Sequence, residues 1–261
     1  MSERPYIHGG TDPREVARLE KQARFLSPFI LKRFVAKRGD RVLDLATGVG
    51  AMAEELVARF PGIRLYGLDL NRAQLATAHR RHPIAAYVEG DGARMPFRDG
   101  TFDAVHCSWL LEHVPDPVAV LREVRRVLAP GATCHFTEVD NASFQTTPAY
   151  PEVQQAMDAL NRAQQQAGGD PFVGPKLPEL FRAAGFSTVD VRPSPLDGTA
   201  SDPAGYVGFV EEFAEIFESL DEALGPSMAP VLHTAAEQLR RLPSVPNSKM
   251  HYASVIGRAT R

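Results

Sequence analysis

From Arg41 to about residue 139, short apolar runs alternate with segments whose apolar residues recur at helical spacing. That alternation restricts the chain to βαβ units building a parallel sheet. RVLDL, IRLYGLDL, AAYVEGD, FDAVHCSW and ATCHFTEV read as five successive strands. Between the first two, AMAEELVARF places Met52, Leu56 and Phe60 on one helical face before Pro61-Gly62 stops it. NRAQLATAHRRH is a second helix, with Asn71 as its cap and Pro83 just past its end. Asp116-Pro117 supplies an N-cap and a proline at the first helical position of VAVLREVRRVL, which turns Leu121, Val124 and Leu128 inward and closes at Pro130-Gly131.

Outside this stretch the pattern loosens. The spacing predicts a polar helix near 151–167, a short helix at LPELFRAAG, a strand at FSTVDVRP, two amphipathic helices around 203–241 and a last strand, MHYASVIGR. Ahead of the first strand, DPREVARLEKQARFL and PFILKRFV read as two helices. The 261 residues suit one enlarged domain. No apolar run approaches the roughly 18 residues of a spanning helix, so no membrane partner is expected. MSERPYIHGG lacks a basic segment followed by an apolar one, which points to the cytoplasm. Cys107 and Cys134 have neither disulfide nor metal-ligand spacing and read as small buried residues. A net charge of −3 with dispersed Lys and Arg gives no basic stripe for nucleic acid. No Asp, Glu and His cluster has divalent-metal character, so no metal is expected.

Gly48-Val49-Gly50 follows a strand and opens a helix, so backbone N–H groups there can approach a ligand closely. Asp69, about twenty residues on at the end of the second strand, can accept both hydroxyls of a ribose. These features fit NAD as well as S-adenosylmethionine. Three others separate the two. Asp44, at the end of the first strand, opposes a pyrophosphate and suits a cationic amino group. Asp91 follows the third strand, where it can accept from an adenine amine. FDAVHCSWLLEHVPDP is an apolar strand ending in small and aromatic groups.

The ordered set VLDLATGVG, YGLDLN, EGDGARMPF, FDAVHCSWLLEHVPDP and LREVRRVLAPGA resembles class I S-adenosylmethionine-dependent methyltransferases. The similarity is to the small-molecule branch, which includes ubiquinone- and menaquinone-biosynthesis and natural-product enzymes, and it covers roughly residues 41–140. It implies an α/β, Rossmann-like, seven-stranded and mostly parallel sheet with an antiparallel last strand and helices on both faces. Residues 1–40 are expected as an N-terminal helical lid, and 41–261 as the methyltransferase domain with cap segments near 141–180 and 195–248. By the same resemblance, Asp44, Ala46, Gly48 and Gly50 hold the methionyl part, Asp69 and Leu70 the ribose and adenine, and Asp91, Gly92 and Ala93 the adenine. Gln74 completes this set, Ser108 contacts the methionyl amino group through its backbone, and Gln22 reaches the cofactor carboxylate. Ala46 stands where the family usually has glycine, which narrows the loop.

For catalysis the expected residues are His113, Glu138 and Tyr6. His113 in LEHVP reads as a general base or as a structural hydrogen bond in the turn. Glu138, Asp140 and Asn141 end the fifth strand at the mouth of the sheet. Tyr6 covers the site and, like Trp109, is placed to stack near the sulfonium. His106 and His135, within strands, read as packing residues. Phe209, Phe213, Ile216 and Phe217 share a helical face that suits core packing or the wall of an apolar chamber. The expected function is methyl transfer from S-adenosylmethionine to an O, N or C atom of a small-molecule acceptor. The alternatives are an NAD-dependent oxidoreductase and a non-catalytic S-adenosylmethionine-fold binding protein. A homodimer is compatible with the sequence and not required by it.

Overall fold

A computed structural model describes residues 12–261. It begins with α1 (Pro13–Ile30), whose cap Asp12 accepts a hydrogen bond from the Arg14 N–H. The two helices expected before the first strand are one, running through Pro28 and ending in a 3-10 turn at Leu31–Arg33. Pro28 has no N–H to offer the Arg24 carbonyl. The Ser27 hydroxyl donates to Glu55 at 2.7 Å and lies only within 3.5 Å of that carbonyl, and the apolar face of Val16, Ala23 and Ile30 stays buried on both sides of the interruption.

The alternating segment then forms β1 (Arg41–Leu45), α2 (Ala53–Arg59), β2 (Arg64–Asp69), α3 (Arg72–Arg81), β3 (Ala86–Glu89), β4 (Phe102–Ser108), α4 (Pro117–Val127) and β5 (Leu128–Thr147). Asn71 caps α3 by accepting from the Ala73 and Gln74 N–H groups, and Asp116 caps α4 through the Ala119 N–H. There follow α5 (Pro151–Gln166), α6 (Leu177–Ala183), β6 (Thr188–Thr199), α7 (Pro203–Glu218), α8 (Asp221–Leu224), α9 (Ala229–Arg241) and β7 (Lys249–Thr260).

The seven strands make one sheet in the order β3-β2-β1-β4-β5-β7-β6. Strands β1 to β5 pair in parallel, and β7 lies antiparallel between β5 and β6. β5 and β6 are longer than their apolar runs suggest. β5 shifts register between Asp140 and Gln145 and resumes pairing with the first residues of β7. β6 carries Pro193 and Pro195, which an edge strand tolerates because one side has no ladder to supply.

α4 and α6 cover one face of the sheet over a core that includes Leu121, Val124, Phe136 and Phe181, with Cys107 and Cys134 both buried and unpaired in it. α1 and α2 pack near the start of β1. α5, α7 and α9 gather around the extension of β5 and β7 in a second core of Phe144, Met157, Phe209, Phe217, Leu232 and Leu239. Strand order reverses between β1 and β4, which opens a crevice beyond their carboxyl ends. Among the described residues no helix is long and apolar enough to cross a membrane.

Candidate active site

A cavity of about 480 Å³ occupies that crevice, within the size range of small-ligand sites. The carboxyl ends of β1, β2 and β4 form its floor, and α1, α5, α7 and β7 wall it.

At one end the β1–α2 loop turns sharply, with Ala46 at φ 57° and Gly48 at φ 54°. Asp69 ties this loop to the end of β2, accepting from the Gly48 N–H and the Asn71 N–H at 2.8 Å each. Burial pushes its carboxyl pKa up, against the pull of those N–H groups. Asp69, exposed Leu70, Gln74, Asp91 and Gly92 line this end. Two carboxylates beside backbone glycines suit a ligand that offers hydroxyl and amine donors, as an adenosine does. Ala93 does not line the cavity, since its N–H folds back onto the Asp91 carboxylate at 2.8 Å. Gly50 is also outside it. A Cβ there would meet the Tyr87 hydroxyl at 2.8 Å and the Ala78 methyl at 3.0 Å, so this glycine lets the loop close onto α3 and β3.

Asp44 is buried and has its partners within the chain. The Thr47 hydroxyl donates to it at 2.7 Å, and His106 Nδ1 lies 2.7 Å from its other oxygen. His106 Nε2 is 3.3 Å from Ser108 Oγ, and all three residues line the cavity. His106 is therefore more than a packing residue. Its signal lies in the parallel register that sets Asp44 beside His106, which no single strand reveals.

At the other end the wall mixes Trp109, Leu160, Phe209, Phe213 and Ile216 with a polar group of Glu112, His113, Asn141, Gln164 and Tyr252. Gln164 Nε2 donates to Glu112 at 2.7 Å, Asn141 Nδ2 lies 3.4 Å from Gln164 Oε1, and the Tyr252 hydroxyl donates to Asn141 at 3.1 Å. Burial raises Glu112 to about 8 and lowers His113 to about 4. His113 lines the cavity, with Nε2 3.6 Å from Glu112.

Glu138 does not face the cavity. Side chains alternate along a strand, so Thr137, Val139 and Asn141 of β5 point into it while Glu138 and Asp140 point away. Glu138 is fully buried and accepts from the Leu110 and Leu111 N–H groups at 3.2 and 3.0 Å, fixing the turn that carries Glu112 and His113. Gln22 lines the cavity but donates to Glu212 at 2.5 Å. Phe217 turns from the cavity into the second core. Tyr6 lies outside the described residues. Sequence reasoning missed Glu112 and Gln164, because an acid and an amide on separate elements carry no shared spacing.

A family model described as "Methyltransferase domain" matches residues 43–136. A demethylmenaquinone methyltransferase from Beutenbergia cavernae is 40% identical over 116 residues, 44% of this chain and 45% of the relative, so the match spans less than half of that protein. One from Streptomyces griseus is 30% identical over 187 residues, covering 66% of this chain and 79% of the relative. Among solved structures, the [4+2]-cyclase SpnF shares the fold at 24% identity with a TM-score of 0.57, over 90% of this chain and 80% of that one.

Proposed function

Because the chain belongs to the class I S-adenosylmethionine-dependent methyltransferases, in the small-molecule branch, we propose that it transfers a methyl group from S-adenosylmethionine to a small, ring-bearing acceptor. The observation that carries this reading is the single cavity joining a carboxylate-lined end to an aromatic one. At the first end, Asp69 accepts the ribose hydroxyls, and Asp91, Gly92 and Leu70 receive the adenine. The methionyl arm runs past Ala46, Gly48 and Ser108 toward Trp109. The acceptor lies between Trp109, Phe213 and Tyr252, under α1. The relatives' named substrate, demethylmenaquinone, sets the first class of acceptors to try.

S-adenosylmethionine, when bound, supplies a methyl carbon already activated by positive sulfur, so the residues mainly have to align and desolvate. Family membership sets aside the nicotinamide-dependent alternative. A β7 lying antiparallel between β5 and β6 also departs from the 3-2-1-4-5-6 order of dinucleotide folds.

Calorimetric titration with S-adenosylhomocysteine and with NADH tests the cofactor. Tight binding of the first alone is expected, and Asp69→Asn should weaken it by about 10- to 100-fold through lost charge-assisted hydrogen bonds. Preference for NADH would refute the proposal. Labelled-methyl incorporation into a hydroquinone pool then separates an enzyme from a binding protein of the same fold.

A further inference from the structure

We propose that Glu112 is the catalytic base for a hydroxyl-bearing acceptor, with Gln164, Asn141 and Tyr252 as positioning residues that aim one of its oxygens into the acceptor end of the cavity. The inference rests on the methyltransferase reading and names the substrate class of that site.

The hydrogen bonds of the network run in one direction. The Tyr252 hydroxyl donates to Asn141 Oδ1, the Asn141 amide donates to Asn161 at 2.8 Å and toward Gln164, and the Gln164 amide donates to Glu112 Oε2. Each side chain thus presents its acceptor backward and its donor forward, and Glu112 Oε2 ends the line as an acceptor. Oε1 is the oxygen left for a proton, and it is also the one 3.6 Å from His113 Nε2. The backbone is fixed as well, because the Glu112 carbonyl accepts from the Asp170 N–H at 2.8 Å. A carboxyl 4% exposed, in a mostly apolar cavity, is costly to ionise. It therefore favours a neutral hydroxyl partner whose proton it can take while the sulfonium nearby offsets the charge.

Among the described residues, the titratable groups near Glu112 include His113 on its own turn, Glu138 on β5, Tyr252 on β7, and Asp170, whose N–H bonds the Glu112 carbonyl and whose carboxylate is paired with Lys176 at 2.5 Å. Burial and Glu112 together push Tyr252 well above the ordinary tyrosine range, so it stays a neutral donor. Burial keeps His113 neutral at pH 7. In the step, the acceptor O–H proton moves to Glu112 Oε1 and its bonding pair stays on oxygen. That oxygen forms a bond to the methyl carbon as the carbon–sulfur bond breaks, with its pair going to sulfur. The sulfonium becomes a neutral thioether and the carboxylate a carboxylic acid, so the charge balances.

Trp109, the chain's single tryptophan, lines the cavity and reports binding by its fluorescence. The probe is naphthohydroquinone, kept reduced, with aniline as the amine comparison. Wild type should bind and O-methylate naphthohydroquinone, with kcat/KM rising about tenfold per pH unit up to a plateau near 8. Glu112→Gln should keep the fluorescence quench within about threefold in Kd, lose about 100-fold or more in kcat, and retain only the ring hydroxyl's own rise near 10. Gln164→Leu removes the hydrogen bond that favours the ionised carboxyl, so its plateau should move to higher pH. An unaltered pH profile and rate in Glu112→Gln overturns the proposal, and so does an unmoved plateau in Gln164→Leu. Preferred methylation of aniline, or neither quench nor turnover with naphthohydroquinone while S-adenosylhomocysteine still binds, overturns the substrate class. Failure of S-adenosylhomocysteine to bind overturns the underlying methyltransferase reading instead.

Discussion

Ala46 holds a backbone conformation that L residues rarely adopt, at φ 57° in the loop between β1 and α2. A side chain there costs about 1–2 kcal/mol relative to glycine, while glycine frees the unfolded chain by about 0.4–1 kcal/mol. The first effect wins by a small margin. Ala46→Gly should raise stability by about 0.5 kcal/mol, seen as a higher urea midpoint at constant m, and a lower midpoint would show that the methyl packs usefully. The departure at position 46 is legible from the sequence, but its sign is not, because φ is a property of the fold. The same limit applies on β5. Alternation already divides Glu138 from Val139 and Asn141, yet which set meets the ligand depends on where α5 and β7 lie.

Helix α1 is held to α7 beside the cavity by a charge cluster whose centre, Arg18 with Glu15 and Glu212, is buried and whose Lys21–Glu215 pair is partly exposed. Arg18 bonds Glu15 at 2.8 Å and Glu212 at 2.9 Å, Lys21 bonds Glu215 at 2.7 Å, and Gln22 reaches Glu212 as well. Helical periodicity predicts that α1 has an apolar face. It does not predict that a charged stripe of the same helix is also buried, since the partner residues lie some 190 positions away. Removing Arg18 strands two buried carboxyls, of which Glu212, already raised to about 7 by burial, can take up a proton. Arg18→Met should cost about 3 kcal/mol locally. Amide exchange in α1 should then accelerate by about 100-fold while β1 and β4 keep their protection. Unchanged exchange in α1 would mean that apolar packing alone seats the helix.

At the scale of the molecule, the titratable groups displaced by burial set the pH range of stability. Glu112 and Glu138 at about 8 and Glu212 at about 7 bind protons more tightly folded than unfolded, so what they contribute is fully present below about 4.5 and is lost as pH rises toward 8. His113 at about 4 and His135 at about 3 act in the opposite sense, and their contribution is complete above about 6.5. Above that pH only the carboxyls remain active. The ligand-free melting temperature should therefore fall between pH 6.5 and 8.5, each group contributing on the order of 1 kcal/mol per pH unit while it titrates. A flat or rising melting curve over that interval would show that these carboxyls are already ionised. The sequence by itself determined the parallel core, the β1–α2 glycine turn, the caps at Asn71 and Asp116 and the carboxylates at the strand ends, because each depends on residues within a turn or two of one another. Only the tertiary structure decided that β7 enters between β5 and β6, that Asp44 faces His106, and that Glu112 meets Gln164. Those contacts join distant segments, and burial, which follows from the whole packing, gives their side chains their chemistry.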